Sequence, residues 1–302
     1  MSTLSDTARA QWQIHFCVLL WGFTAILGKL ISLPALPLVW WRMALVTVML
    51  MLAPKVWRTL RTMRGRHVAT IMGIGVLVAA HWLTFYAAIK FSNASVAATC
   101  MALGAVFTAL IEPFAAHRRF ALGEVLLGVA AIPGVMLVVG GVPAGMHVGI
   151  AVGAVSAIFA ALFGSLNKRV IAHSDPLTMT FLEMAAGVLI LSIATPLLSD
   201  VVPLFATPLL VWPNAHDLMY LLLLAAACTL LPYALSLVAL RHMSAFNAQL
   251  AVNLEPVYTV LLAIVLLNEQ RELGTSFYLG VAILVASVFA PLLFKSPPVA
   301  PA

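Results

Sequence analysis

The chain has 302 residues, of which 63% are hydrophobic and only 9% charged, with a formal net charge of +6. A soluble domain of this size is about 25% charged, so there is too little polar surface to cover a globule in water, and the composition points to a polytopic membrane protein. The three cysteines all fall in apolar runs without metal-ligand spacing and read as buried free thiols, not as a disulfide framework.

Apolar segments long enough to span a hydrocarbon core of about 30 Å fall at 14–31, 37–53, 68–90, 94–114, 122–141, 149–167, 177–198, 217–240, 245–267 and 274–293. The first follows Arg9 and runs to Ile31 without an A-x-A-like cleavage site, so it reads as a retained helix and not as a signal peptide. The expected fold is therefore an all-α membrane protein with ten transmembrane helices. Ten spans place alternate connections on opposite sides. Twelve Lys and Arg residues fall on one side, most of them at 55–66, 118–119 and 168–169, against Lys90 and Arg271 on the other. The positive-inside rule then puts both termini in the cytoplasm. The basic charge reads as a topology signal beside anionic lipid headgroups, not as a nucleic-acid patch.

The connections are short, apart from the basic loop 54–67 and the Pro-containing loop 199–216. Residues 1–13 read as a cytoplasmic N-terminus. The tail 294–302, with K-S-P-P-V-A-P-A, cannot form a helix and reads as disordered.

The chain also repeats itself. A shift of 151 aligns Lys90–Gly123 with Arg241–Gly274 without a gap, setting V-F-T-A-L (106–110) on V-Y-T-V-L (257–261). Earlier in each half a shift of 139 sets Leu27 on Leu166 and Lys29 on Lys168. Two units of five spans result, 14–141 and 149–293. Because five is odd, the second starts on the opposite side and the repeats are inverted. That architecture suits secondary transporters, which bind substrate near the midplane between the repeats.

In the sixth span Gly149, Gly153, Ala157, Ala161 and Ser165 form a small-residue stripe suited to close helix packing. Pro133–Gly134, Pro232 and Pro256 interrupt spans five, eight and nine, and Pro232 and Pro256 are candidate hinges.

Counting about 1.5 Å per residue sorts the polar groups by depth. Trp21 and Glu183 come out ~10 Å from the cytoplasmic end, Asn253 ~12 Å and Glu255 ~15 Å; His81 lies ~20 Å deep, with Lys29 and Arg42 further out. Charge at such depth costs about 2.5–3.5 kcal/mol on insertion scales, so Glu255 and Glu183 stand out as candidates for substrate binding or proton carriage. Histidine exchanges protons near neutral pH, and His81 shares a face with Phe85 (i,i+4). Gln249 and Asn253 share another face. Trp21, Phe85 and Tyr258 are candidate pocket walls. Lys29 and Arg42 either snorkel outward or line an outer vestibule. The depth count argues against an Arg42–Glu183 pair. Glu112, near the cytoplasmic end beside Arg118 and Arg119, reads as interfacial.

Three pieces of sequence carry a family resemblance: L-L-W-G-F (19–23), H-W-L-T-F-Y-A-A-I-K (81–90), and A-L-R-H-M-S-A-F-N-A-Q-L-A-V-N-L-E-P-V-Y (239–258) with N-E at 268–269. With them the chain resembles the EamA-type branch of the drug/metabolite transporter superfamily over residues 14–293. The resemblance implies two inverted five-helix repeats and transport of small metabolites such as amino acids, nucleosides or cationic drugs. It also implies a proline in span four, where this chain has Gly104-Ala105 in the place of Glu255-Pro256.

The reading that follows is a secondary carrier of a small amphipathic metabolite, such as an amino acid, exporting it across the inner membrane with proton coupling as an option. An uptake carrier or a facilitative, channel-like uniporter for nucleosides, sugars or cationic drugs is the alternative. The partners expected are the solute and the lipid bilayer, with the chain as monomer or homodimer. No cofactor or metal is expected: the chain has no Walker motif, no H-E-x-x-H and no Cys/His cluster, which also speaks against an ATP-driven pump and an intramembrane enzyme.

Overall fold

The computed structural model of the chain describes residues 5–130, 132–201 and 206–293, and among these the regular structure is entirely helical. The tail 294–302, expected to be disordered, lies outside the described residues, as does part of the 199–216 connection.

The helices are α1 (Asp6–Leu30), α2 (Ala35–Met51), α3 (Pro54–Leu60), α4 (Gly65–Phe91), α5 (Ala94–Cys100), α6 (Gly104–Ala115), α7 (Leu122–Val129), α8 (Ile132–Gly140), α9 (His147–Ile171), α10 (Pro176–Val201), α11 (Ala215–Ala225), α12 (Leu231–Leu240), α13 (Ala245–Val252), α14 (Glu255–Leu267) and α15 (Thr275–Leu293). Among the described residues, seven helical stretches are long and apolar enough to cross a membrane, and α2 with α3, bent by 87°, would make an eighth. The expected spans fall on helix among the described residues, and seven or eight of the described helices pass as crossings by length and composition. Part of the basic loop 54–67 is helical, because Pro54 in the first turn of α3 presets the backbone and forfeits no bond. In the fifth expected span, α7 ends at Val129, whose carbonyl lacks an N–H partner at Pro133 four residues on.

Small residues let the helices approach. All five members of the α9 stripe are buried, and a Cβ on Gly153 would stand 2.8 Å from the Cys100 Cβ of α5. A side chain on Gly75 of α4 would collide with the Glu183 backbone of α10. These two crossings tie the first half of the chain to the second.

The halves match in detail. At a shift of 151, α5 begins where α13 begins, and α6 begins where α14 begins. Between them the first half has a 3-10 turn at Met101–Leu103, and the second has a two-residue break at Asn253–Leu254. The residues before α5 and α13 are both side-chain caps, Asn93 accepting from Val96 N and Ser244 from Asn247 N. Just before these caps sit basic residues that satisfy the last carbonyls of a neighbouring helix: Lys90 donates to Ile31 O, and Arg241 to Ile171 O and Ser174 O.

A carboxylate from the opposite half also closes each of these helix starts. Glu269, after α14, accepts from Ala94 N, Ser95 N and Ser95 Oγ at 2.6–3.1 Å. Glu112, in α6, accepts from Ala245 N and Phe246 N at 2.8 Å each. Glu112 is fully buried, and Arg118 Nε lies 3.4 Å from it. A helix start offers unpaired N–H groups and the positive end of the dipole, so a carboxylate there satisfies both. Since α5 and α6 together run from Ala94 past Glu112, these two caps lie at opposite ends of that helical stretch.

Candidate functional site

A cavity of about 120 Å³ lies between the halves. Its wall takes Trp21 and Thr24 from α1, Arg42 from α2, His81, Trp82 and Phe85 from α4, and Met101 from the 3-10 turn. From the second half come Phe163 and Asn167 of α9, Tyr233 and Ser236 of α12, Gln249 of α13 and Glu255 of α14. Both helix breaks therefore reach the cavity.

Arg42 does not snorkel: it is 1% exposed. Its Nε donates to Thr229 Oγ1 (2.6 Å), Nη1 to Tyr86 Oη (3.0 Å) and Nη2 to Cys228 O (3.4 Å). The guanidinium carbon stands 3.8 Å above the centre of the Trp82 ring, in cation–π range. Two of these acceptors, Thr229 and Cys228, lie in a local irregularity. Residues Ala226–Leu230 form a π-helical turn between α11 and α12, and Pro232 has no N–H for the carbonyl four residues back, which is that of Cys228. The depth count separates Arg42 from Glu255, yet both line one cavity.

His81 is held from α9. Its Nδ1 lies 3.0 Å from Ser156 O and 2.9 Å from Ser156 Oγ, and Ser156 Oγ donates back to His81 O at 2.9 Å. A carbonyl only accepts, so the Nδ1 proton points at Ser156. Phe85 and Phe163 flank the ring, at 6.1 and 5.4 Å between centroids.

Glu255 is 6% exposed, lines the cavity from the first turn of α14, and makes no hydrogen bond or ion pair through its side chain. Glu183 is fully buried but is not on the wall. It stands behind Tyr233, whose hydroxyl donates to Glu183 Oε2 (2.5 Å) and accepts from Asn167 Nδ2 (3.2 Å). Tyr233 is thus the connection between the cavity and Glu183.

The remaining expected residues divide. Trp21, Phe85 and Gln249 line the cavity, and Gln249 Nε2 also reaches Met101 O at 3.4 Å. Asn253 lies buried in the α13–α14 break, off the wall, with Oδ1 unpaired. Tyr258 packs on α1, where a Cβ on Gly22 would stand 2.7 Å from its own Cβ. Lys29 is exposed in the last turn of α1 and does not reach the cavity. Pro256 and Pro232 open α14 and α12. The sequence reading had not singled out Tyr233, Asn167, Phe163, Tyr86 or Thr229. Asn167 and Tyr233 did carry a signal, being polar groups in apolar runs beside Lys168 and Pro232.

The EamA-like transporter family matches the chain twice, over residues 11–140 and 147–292. A solved structure titled only "Crystal structure of protein" is similar with a TM-score of 0.67 at 16% identity, covering 95% of this chain and 99% of its own, a likeness of fold alone. No curated protein matches the chain by sequence.

Proposed function

Since the chain belongs to the EamA-like transporter family, we propose that it is a secondary transporter that exports a small amphipathic solute, such as an amino acid, across the inner membrane by alternating access. The observation that carries this reading is the cavity between the halves, which combines one cation, one carboxyl and an aromatic wall. Such a mixture suits a solute with both polar ends and an apolar body. In this reading ten spans form two inverted five-helix repeats, 14–141 and 149–293, with both termini cytoplasmic; the positive-inside distribution and the matched helix breaks support it.

Glu255, His81, Trp21, Phe85 and Gln249 bind the solute directly. Glu183 acts from behind Tyr233 as the proton-coupling carboxyl, since the Tyr233 hydroxyl on the cavity wall donates to it and accepts from Asn167. Pro232 and Pro256 let α12 and α14 swing against their preceding segments, because a proline lacks the N–H that would lock the turn.

Counterflow in proteoliposomes tests the reading. Saturable exchange, accelerated by an opposing pH gradient and made gradient-insensitive by Glu183→Gln, is the expected result. Flux that never saturates overturns the carrier, and identical rates with and without the gradient remove proton coupling.

A further inference from the structure

We propose that Arg42 is the docking point for a carboxylate on the transported solute and that Glu255 receives its ammonium group, so that the cavity selects zwitterions with an apolar body over amines, esters and sugars. The inference rests on the cavity being the substrate site, and it names the class of substrate.

The donor count of Arg42 carries it. A guanidinium has five N–H donors in a rigid fork. Three are spent, on Thr229, Tyr86 and Cys228, one from each nitrogen. One N–H therefore remains on each terminal nitrogen, the pair that grips a carboxylate through two parallel bonds. Trp82 covers one face of the guanidinium, which leaves the edge for a ligand.

The charge count agrees. Arg42 is 1% exposed, yet among the described residues no carboxylate oxygen lies within 4.0 Å of it, so it forms no ion pair with them. Buried cations are ordinarily paired, because an unpaired charge away from water is costly. The groups in contact with Arg42 are π-faces and neutral oxygens, and Glu255 acts on it from beyond ion-pair distance. Glu255 shares the cavity and is equally unpaired. Had the two evolved only to neutralise each other, they would touch; held apart, they leave a place for a molecule that carries the complementary charges. A cationic drug would meet Arg42 with like charge, and a sugar would leave both charges unanswered. The space suits a compact solute, since a pocket of about 150 Å³ accommodates benzene.

The test uses the purified full-length protein in detergent and reads binding by thermal shift and tryptophan fluorescence, without transport. The twenty common amino acids are screened first, and the tightest binder is then compared with its methyl ester, which lacks the carboxylate, and its N-acetyl derivative, which lacks the ammonium. The free amino acid is expected to bind at least tenfold more tightly than either derivative. Arg42→Lys, which keeps the charge but loses the fork, is expected to erase the preference for acid over ester, and Glu255→Gln the preference for amine over N-acetyl. If either variant fails to fold, the acid–ester–acetyl comparison on the unaltered protein decides alone. Ester bound as tightly as acid, or no amino acid bound at all, overturns the inference. The carrier reading survives that outcome if counterflow of another solute saturates. Conversely, loss of counterflow with the acid–ester preference intact would sink the carrier and leave the binding inference standing.

Discussion

The two halves break their fourth helices at the same register and by different means. In the second half the break at Asn253–Leu254 precedes Glu255-Pro256, where the proline removes a donor in the usual way. In the first half no proline is present: Gly104-Ala105 stand at the matching positions, and a 3-10 turn still interrupts the helix. There the other half supplies what is needed. Gln249 reaches across to Met101 O, and its amide occupies the space that a Cβ on residue 104 would fill. Symmetry of shape is therefore kept while the chemistry is divided, with the carboxyl on one side and room for a side chain on the other.

The largest effect tests the symmetry itself. Glu112→Ala and Glu269→Ala each strip two or more buried backbone N–H groups of a charged acceptor, at an expected cost of about 3–5 kcal/mol. Equilibrium unfolding in detergent should show losses of similar size; a large cost for one and none for the other would show that the caps are not equivalent. Next in size is Gly104→Leu, which overpacks the Gln249 amide and should cost about 1–3 kcal/mol. The same change in a Gln249→Ala background should cost clearly less, and additive losses would deny the coupling. Pro256→Ala is expected to change stability by less than about 1 kcal/mol, because the first half shows that this break forms without proline. A loss of several kcal/mol there would mean that the two breaks have different causes after all.

The smallest effect lies at the exposed edge between the halves. Burial of Asp175 favours its protonated form, but hydrogen bonds from Lys55 and Thr178 outweigh that and hold its pKa below the usual 3.8. A depressed carboxylate pKa contributes stability above the unfolded value, and the contribution fades as pH falls through the folded one. Lys55 is 60% exposed, so screening limits the pair to a few tenths of a kcal/mol. Lys55→Ala should therefore lower stability by that amount at neutral pH and not at all in strong acid. A difference that grows on acidification would reverse the sign of the argument.

Much of this layout was readable from residue order. Segment positions follow from hydropathy, and the α9 stripe follows from spacing every four residues. Trp21, His81, Phe85, Gln249 and Glu255 all stand on the cavity wall because each is a polar or aromatic interruption of an apolar face. Arg42 was misplaced because residue counting gives the depth of a Cα on an untilted helix and says nothing of where a long side chain finds acceptors. Two of those acceptors, on Thr229 and Cys228, lie in the π-helical turn at Ala226–Leu230, which Pro232 marks only as an interruption of its span. Glu112 and Glu269 read as boundary residues, since each precedes charged neighbours. Their partners lie 133 and 174 residues away, and only tertiary structure joins them.

The crossed caps have a consequence for the order of events during synthesis. Ser95 leaves the ribosome 174 residues ahead of Glu269, an interval of roughly ten to thirty seconds at typical elongation rates. Through that time the start of α5 has its Asn93 cap but lacks its carboxylate, while Glu112 waits for α13. Neither half can complete its fourth helix from its own residues, so the earlier half reaches its final form only when translation is almost over.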